Sequence, residues 1–541
     1  EPQVTLTGVT VSRGDGVTRQ VLGEIDALSA RFSFLSALRG QPEFNAFEFT
    51  RPKIRIERGT DGNLDWSNEG LLSEAVRSVS PSATGGQQIE AAADAEVGSV
   101  RVLDGEIVLI DAASGRHFEA RSVNAEIDWA KLSAPLSGKA SFTYDALPVT
   151  MTLETGAPLL LIGGQDAVVD LSTALPGMTG SFKGEVNLRN GLAGASSIEL
   201  ALSDFSAVTG LARLRIAGTE SWKSASLKTQ LLMADSEWRL EDLNFEVNDS
   251  RGNGFLALRH VAGARPVLSG TLALEHLELE DLLQALSIEI GDRADVRLPS
   301  LTRWLDFDLR LSAVTAALPP FELTSVGASV IGRGDELKLL IADSNFLDGS
   351  LSARISGSGE GFSGGADLAL TISEAQLGDL AKGLGLEGPI VIGKGSVDLN
   401  ARLTGAGWRS NIEGMSGTLS VSAGPGRLEG FDAEGVRRLA LDRAYFQLSA
   451  AGSGSFGFDR FDMSARFAEG SAEIEKSLFV GTGQSLSLSG IVPYSRKALA
   501  MIGQMSQPTS MVAQEDLRFF IGGGFADPVI SPIPHSVGTS P

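Results

Sequence analysis

The run Gly395-Ser396-Val397-Asp398-Leu399-Asn400-Ala401-Arg402-Leu403 decides how this chain is read. From Val397 on, apolar and polar residues alternate strictly. Successive side chains of a strand point to opposite faces, so this is a β-strand with one greasy face and one wet face. The same alternation lies on either side of it. Leu368, Leu370 and Ile372 precede it; Leu419 and Val421 follow. Farther toward the N-terminus come Leu339 and Ile341, Leu309 and Leu311, Leu272 and Leu274, Phe245 and Val247, then Leu231. Beyond them stand Ile198, Leu200 and Leu202, Val186 and Leu188, and Phe142. Toward the C-terminus the series continues through Leu448, Met463, Leu486 and Leu488. We take all of these, with Leu399 and Leu403, as the lining of one apolar face. The fold expected is mainly β: an elongated, curled antiparallel sheet forming a hydrophobic groove, with a few short helices.

Composition bounds the function. Glycine is 64 of 541 residues and gathers at turns such as 356–361 and 451–454, the punctuation of a turn-rich β protein. A hydrophobic content of 43% excludes wholesale disorder. The net charge of −22 argues against nucleic acid and against adhesion of the body to an anionic bilayer, and it favours solubility. With no cysteine, disulfides and thiolate chemistry are excluded. The best apolar run, Leu159-Leu160-Leu161-Ile162, is far short of the roughly 18–20 residues of a membrane span. The chain starts at Glu1, without Met, directly before the strand-like Val4-Thr5-Leu6-Thr7, and reads as trimmed at this end.

Catalytic chemistry is hard to find. His117, His260, His276 and His535 are far apart, and the acids around His276 fit a helix start better than a metal. Gly522-Gly523-Gly524 is followed by Pro528 rather than a helix, so it is no phosphate loop. There is no G-x-S-x-G elbow. The six tryptophans are scattered and form no sugar-binding platform. No enzyme, cofactor or metal is expected.

Along the chain, 1–66 alternates in short strands around an apolar turn at 34–40. A helix and flexible insertion are expected over 67–96, a central groove over 97–410, a C-terminal groove over 411–530 and a disordered tail over 531–541. Helices are expected at 279–286, 375–384, 433–441 and 495–505. They are too short and sparse to cover a large sheet.

Three segments resemble the AsmA family of Gram-negative envelope proteins. The first holds Leu35-Ser36-Ala37-Leu38-Arg39-Gly40, Thr50-Arg51-Pro52-Lys53-Ile54-Arg55-Ile56 and Asp61-Gly62-Asn63-Leu64-Asp65-Trp66, with Asp65 where the family has Asn. The second runs from Leu419 through Gly426-Arg427-Leu428-Glu429-Gly430-Phe431-Asp432 to Arg438. The third links Gly481–Leu488 to Gly522–Pro528. The resemblance spans most of the chain and rests on the order of individually weak motifs. It implies an inner-membrane anchor, a periplasmic body, phospholipid as ligand and a place in the bridge-like lipid-transfer superfamily. It carries no catalytic residues.

Physical chemistry leaves three covers for the apolar face: a second sheet, the coils of a β-helix, or a foreign molecule in a trough. About 25 strands at about 4.8 Å spacing must twist and curl. The inward leucines serve equally as the core of a closed sandwich. The reading preferred is a periplasmic lipid conduit supporting outer-membrane biogenesis, with phospholipid and envelope proteins as partners. A secreted adhesive β-helix and an assembly factor for outer-membrane proteins are the alternatives.

Overall fold

The computed structural model describes residues 2–13, 20–34, 38, 44–59, 75, 95–112, 115–187, 191–204, 222–234, 236–261, 263–285, 305–358, 364–403, 414–507 and 516–534. The chain is mainly β, built of curled, mostly antiparallel sheet with few short helices, as the alternation predicts. Its described residues fall into two compact units, unit 1 up to His260 and unit 2 from Val261. Position 410, where a division was expected, lies between Lys394–Leu403 and Ser416–Ala423, which pair along their length.

Unit 1 holds thirteen described strands, from Gln3–Arg13 to Ser250–Arg259. Each pairs with the next in chain order. One pairing is parallel, that of Phe44–Arg58 with Glu96–Asp111. Parallel neighbours need a connection of about a dozen residues or more, and the expected insertion lies between these two strands. Of that insertion's expected helix and of the turn at 34–40, almost all lies outside the described residues. A one-turn helix, α1 (Pro158–Ile162), follows Leu147–Thr155, with Pro in its first turn where no N–H is needed.

The curl of unit 1 has a local cause. In Thr50-Arg51, Arg121-Ser122 and Glu241-Asp242 two polar residues interrupt the alternation, and the second of each has positive φ. The ladders shift register beside Ser122 and Asp242. The doublets at Ser122 and Asp242 are β-bulges, which bend a strand and increase its twist. Both share one device: the side-chain N–H of Asn124 donates to Ser122 O at 3.1 Å, and that of Asn244 to Asp242 O at 2.8 Å. The residue between, Val123 or Leu243, is driven into the interior, 3% and 2% exposed.

Unit 2 opens with a second parallel pair, Val267–Glu278 beside Asp306–Leu318. Helix α2 (Leu279–Ala285) lies in that crossover. Antiparallel strands continue to Ala366–Gln376, then Lys394–Leu403, Ser416–Ala423 and Arg460–Ala468, and on to Val529–Pro532. A separate small sheet joins Ile390–Ile392, Gly426–Glu429 and Ser455–Phe458. Helices α3 (Leu377–Gly383) and α4 (Ala433–Asp442) complete the unit.

Two expectations are corrected. The helix placed at 495–505 is a short turn, Tyr494–Arg496, followed by the strand Ala498–Ser506. Ala, Leu and Met favour helix intrinsically, but Met501, Gly503 and Met505 keep a two-residue period and face the core. A side chain at Gly503 would collide with the ring of Phe519 on the next strand. The tail expected from 531 is ordered farther than that: Pro532 ends a strand, and Ile533 N–H donates to Arg518 O at 2.8 Å.

The core of unit 2 is dense. Phe456 and Phe458 of the small sheet, Val436 of α4 and Leu448 pack on Phe461, Phe479, Leu486, Met505, Phe519 and Ile530 of the large sheet. Phe461 and Phe479 stack at 4.2 Å. Asp432 caps α4, its carboxylate accepting from Gly435 N–H at 2.9 Å. Gly435 lets Ala451 O approach, and Gly454 sits against the same carboxylate. Asp432→Ala removes that cap and is expected to cost about 1 kcal/mol, read as a lower urea midpoint for unit 2.

Candidate functional site

The apolar face of unit 1 is laid out by its strand registers. One row crosses all thirteen strands: Leu6, Leu28, Phe49, Val102, Ala125, Ala140, Met151, Thr173, Gly180, Leu200, Leu227, Phe245 and Gly252 are successive cross-strand partners. A second row runs beside it, Val4, Ala30, Phe47, Val100, Ile127, Gly138, Leu153, Leu171, Phe182 and Ile198. At about 4.8 Å per strand the first row extends about 58 Å, and the two together span about 7 Å along the strands. That is a footprint of roughly 400 Å².

Most of this surface is not shut. Val100, Ile127, Met151, Leu153, Leu171, Phe182, Ile198, Leu200 and Leu227 are all partly exposed. At the outer edge Val4 is 45% and Leu6 54% exposed. Among the described residues the packed hydrophobic cluster of unit 1 is small, Ala75, Leu132 and Leu159, with Trp129 against it. Neither Thr173, the one polar member of the rows, nor Thr229, the cross-strand partner of Ile198, offers a free hydroxyl. Thr173 Oγ1 donates to Thr150 O at 3.3 Å, and Thr229 Oγ1 to Glu241 O at 2.8 Å. The lining is apolar, aliphatic with phenylalanines at Phe47, Phe49, Phe182 and Phe245.

The opposite face is its electrostatic inverse. Arg101, Glu126, Lys139, Thr152, Ser172, Ser181, Glu199 and Lys228 form the corresponding polar row. Arg101 pairs with Glu126 at 3.1 Å, Lys183 with Asp170 at 3.0 Å, and Lys228 with Glu199. Exposed pairs of this kind add about 0–1 kcal/mol each. Their consequence is orientation: this face belongs to water.

The residues expected as lining divide between the units. In unit 1, Phe142, Val186, Ile198, Leu200, Phe245 and Val247 are partly exposed, Leu202 and Leu231 are buried, and Leu188 lies outside the described residues. In unit 2, Leu311 and Leu339 belong to one packed cluster, against which Leu272, Leu309 and Leu403 lie. Ile341 and Ile372 belong to another, with Leu274 and Leu370 against it. Leu448 and Leu486 are in the cluster under α4, with Leu419, Val421, Met463 and Leu488 on its flank. Leu368 and Leu399 stay partly exposed beside these clusters. Phe47, Phe49, Leu153, Leu171 and Leu227 complete the rows and carry the same two-residue period, though they were not among the expected lining.

Among the described residues no group of three His, Cys, Asp or Glu side chains converges to hold a metal ion. His276 contacts Thr315 Oγ1 at 2.7 Å and Glu278 Oε1 at 3.1 Å. No described helix is long and apolar enough to cross a membrane. No family model, curated protein or solved structure matches the chain.

Proposed function

We propose that this chain holds or passes phospholipid acyl chains along the apolar rows of unit 1. The observation that carries the reading is a thirteen-strand apolar face with an ion-paired reverse side and little packed against it among the described residues. Exposing one CH₂ to water costs about 0.8 kcal/mol, so a 16-carbon chain left in water costs on the order of 10 kcal/mol. A trough shields that chain while the headgroup stays in solvent. A lining made mostly of apolar side chains favours sliding over capture. On the resemblance to the AsmA family, the setting proposed is the Gram-negative periplasm, with an inner-membrane anchor, a role in outer-membrane biogenesis and no catalysis.

The test is direct. A photoreactive amino acid at Leu171 or Leu200 is expected to crosslink phospholipid, and one at Leu339, 2% exposed in a packed cluster, is not. Lipid extraction of the same protein, read by mass spectrometry, should recover phospholipid. Crosslinks from none of these positions, with no lipid recovered, would sink the proposal.

A further inference from the structure

Helix α4 ends in an arrangement that its own packing does not explain. Its first turns are fixed: Val436 is fully buried, Ala433 is 9% exposed, and Asp432 caps the helix. Its last turn and the residues after it stand clear. Leu441 is 87% exposed and Tyr445 73%, the two highest values among the described large hydrophobic side chains. Phe446, next in sequence, is buried and pairs with Ile530, so the segment is pinned at both ends. A rigid element holding a leucine and a tyrosine out into water gains nothing from doing so alone.

The charges around them point to a ligand. Arg438 and Arg443 are exposed. Several sheet arginines of unit 2 make cross-strand or same-strand pairs, Arg402 with Asp367, Arg460 with Asp462 and Arg466 with Glu475. No acid stands within pairing distance of Arg438 or Arg443 among the described residues. From Arg437 to Tyr445 there are three arginines and one acid, Asp442, in a chain whose net charge is −22; Arg437 already feels the carboxylate of Asp516, which leaves Arg438 and Arg443. Screening limits the reach of the distant acids to about 8 Å at physiological salt, so the local cations set the local potential.

We infer that the end of α4, with Arg438, Leu441, Arg443 and Tyr445, is a contact for an anionic bilayer surface. Leucine enters the acyl boundary, tyrosine sits at headgroup level with its hydroxyl wet, and the guanidinium groups take lipid phosphates. Two exposed apolar side chains are far below the roughly 1,000 Å² a stable protein partner needs, whereas an interfacial anchor works with this few. The inference extends the lipid reading, since a protein that passes lipid must touch a membrane, and it stands on different residues.

The experiment is co-sedimentation of the full chain with vesicles of phosphatidylethanolamine and phosphatidylglycerol, and with phosphatidylcholine alone. The chain is expected to pellet with the first and far less with the second. Leu441→Ser with Tyr445→Ser is expected to lower partitioning roughly tenfold or more. Arg438→Gln with Arg443→Gln is expected to lower it roughly tenfold and to flatten its salt dependence. All four side chains are exposed, so the variants keep their fold. Their content of copurified phospholipid should match the parent, which separates loss of membrane contact from loss of the trough. The inference is overturned if the parent chain does not bind the anionic vesicles, or if the Leu441 and Tyr445 pair binds as well as the parent. A concentration-dependent dimer that this pair abolishes would overturn it too, assigning the patch to a second copy.

Discussion

Leu171→Arg combined with Leu200→Arg is expected to empty unit 1 of phospholipid while leaving it folded. The two positions sit one in each apolar row, so together they place charge across the whole track. An arginine facing hydrocarbon costs about 2.5–3.5 kcal/mol even by the mildest scale, which is roughly a hundredfold in occupancy at that point. The fold tolerates the change because both positions are partly exposed and the long side chain can extend its head to water. Ser172→Arg is the control. It adjoins Leu171 on the same strand, faces the ion-paired side and is exposed. It should leave lipid content unchanged. Lipid mass spectrometry on the three proteins, with circular dichroism to verify fold, decides the matter. Undiminished phospholipid in the double variant would mean that lipid, if present, lies elsewhere.

Much of this was legible in the residues. Alternation at 368–372, 397–403 and 419–421 marks strands that pair directly, with Leu370, Leu399 and Leu419 in one cross-strand row. Helices expected near 279, 375 and 433 are present, because Gln376 and Asp432 end strand-like runs and helical spacing begins after them. Other features needed a different signal. A doubled polar residue inside an alternating run, as in Arg121-Ser122, marks a bulge and a bend, and it was visible as a phase slip. The strand at Ala498–Ser506 was hidden because its residues have helical propensity and only its neighbours impose extension. The difference between a covered and an open face was not legible at all. Leu339 and Leu200 occupy the same kind of pattern, yet one is 2% exposed in a packed cluster and the other partly open. What packs on a leucine from outside its own strand is a fact of topology, carried by residues far off in sequence.

Phe519→Ala and Phe182→Ala should therefore have unequal costs, and the inequality measures how open unit 1 is. Phe519 is fully buried, stacks 6.5 Å from Phe431 and fills the space left by Gly503. Its removal leaves a cavity among rigid neighbours, at an expected cost of about 3–5 kcal/mol. Phe182 is partly exposed, so truncation forfeits less buried area and leaves an open dent rather than a void. The expected cost is about 1 kcal/mol in protein stripped of lipid. Because two units need not unfold together, urea titration should be followed by hydrogen exchange in each unit separately. Phospholipid restored to the protein gives the discriminating result. A ligand that binds only the folded state adds its binding free energy to stability. Phe182→Ala weakens that binding, so its cost should rise with lipid present, while that of Phe519→Ala stays fixed. If Phe182→Ala costs as much as Phe519→Ala in lipid-free protein, the rows of unit 1 are closed core, and an acyl chain has no place among them.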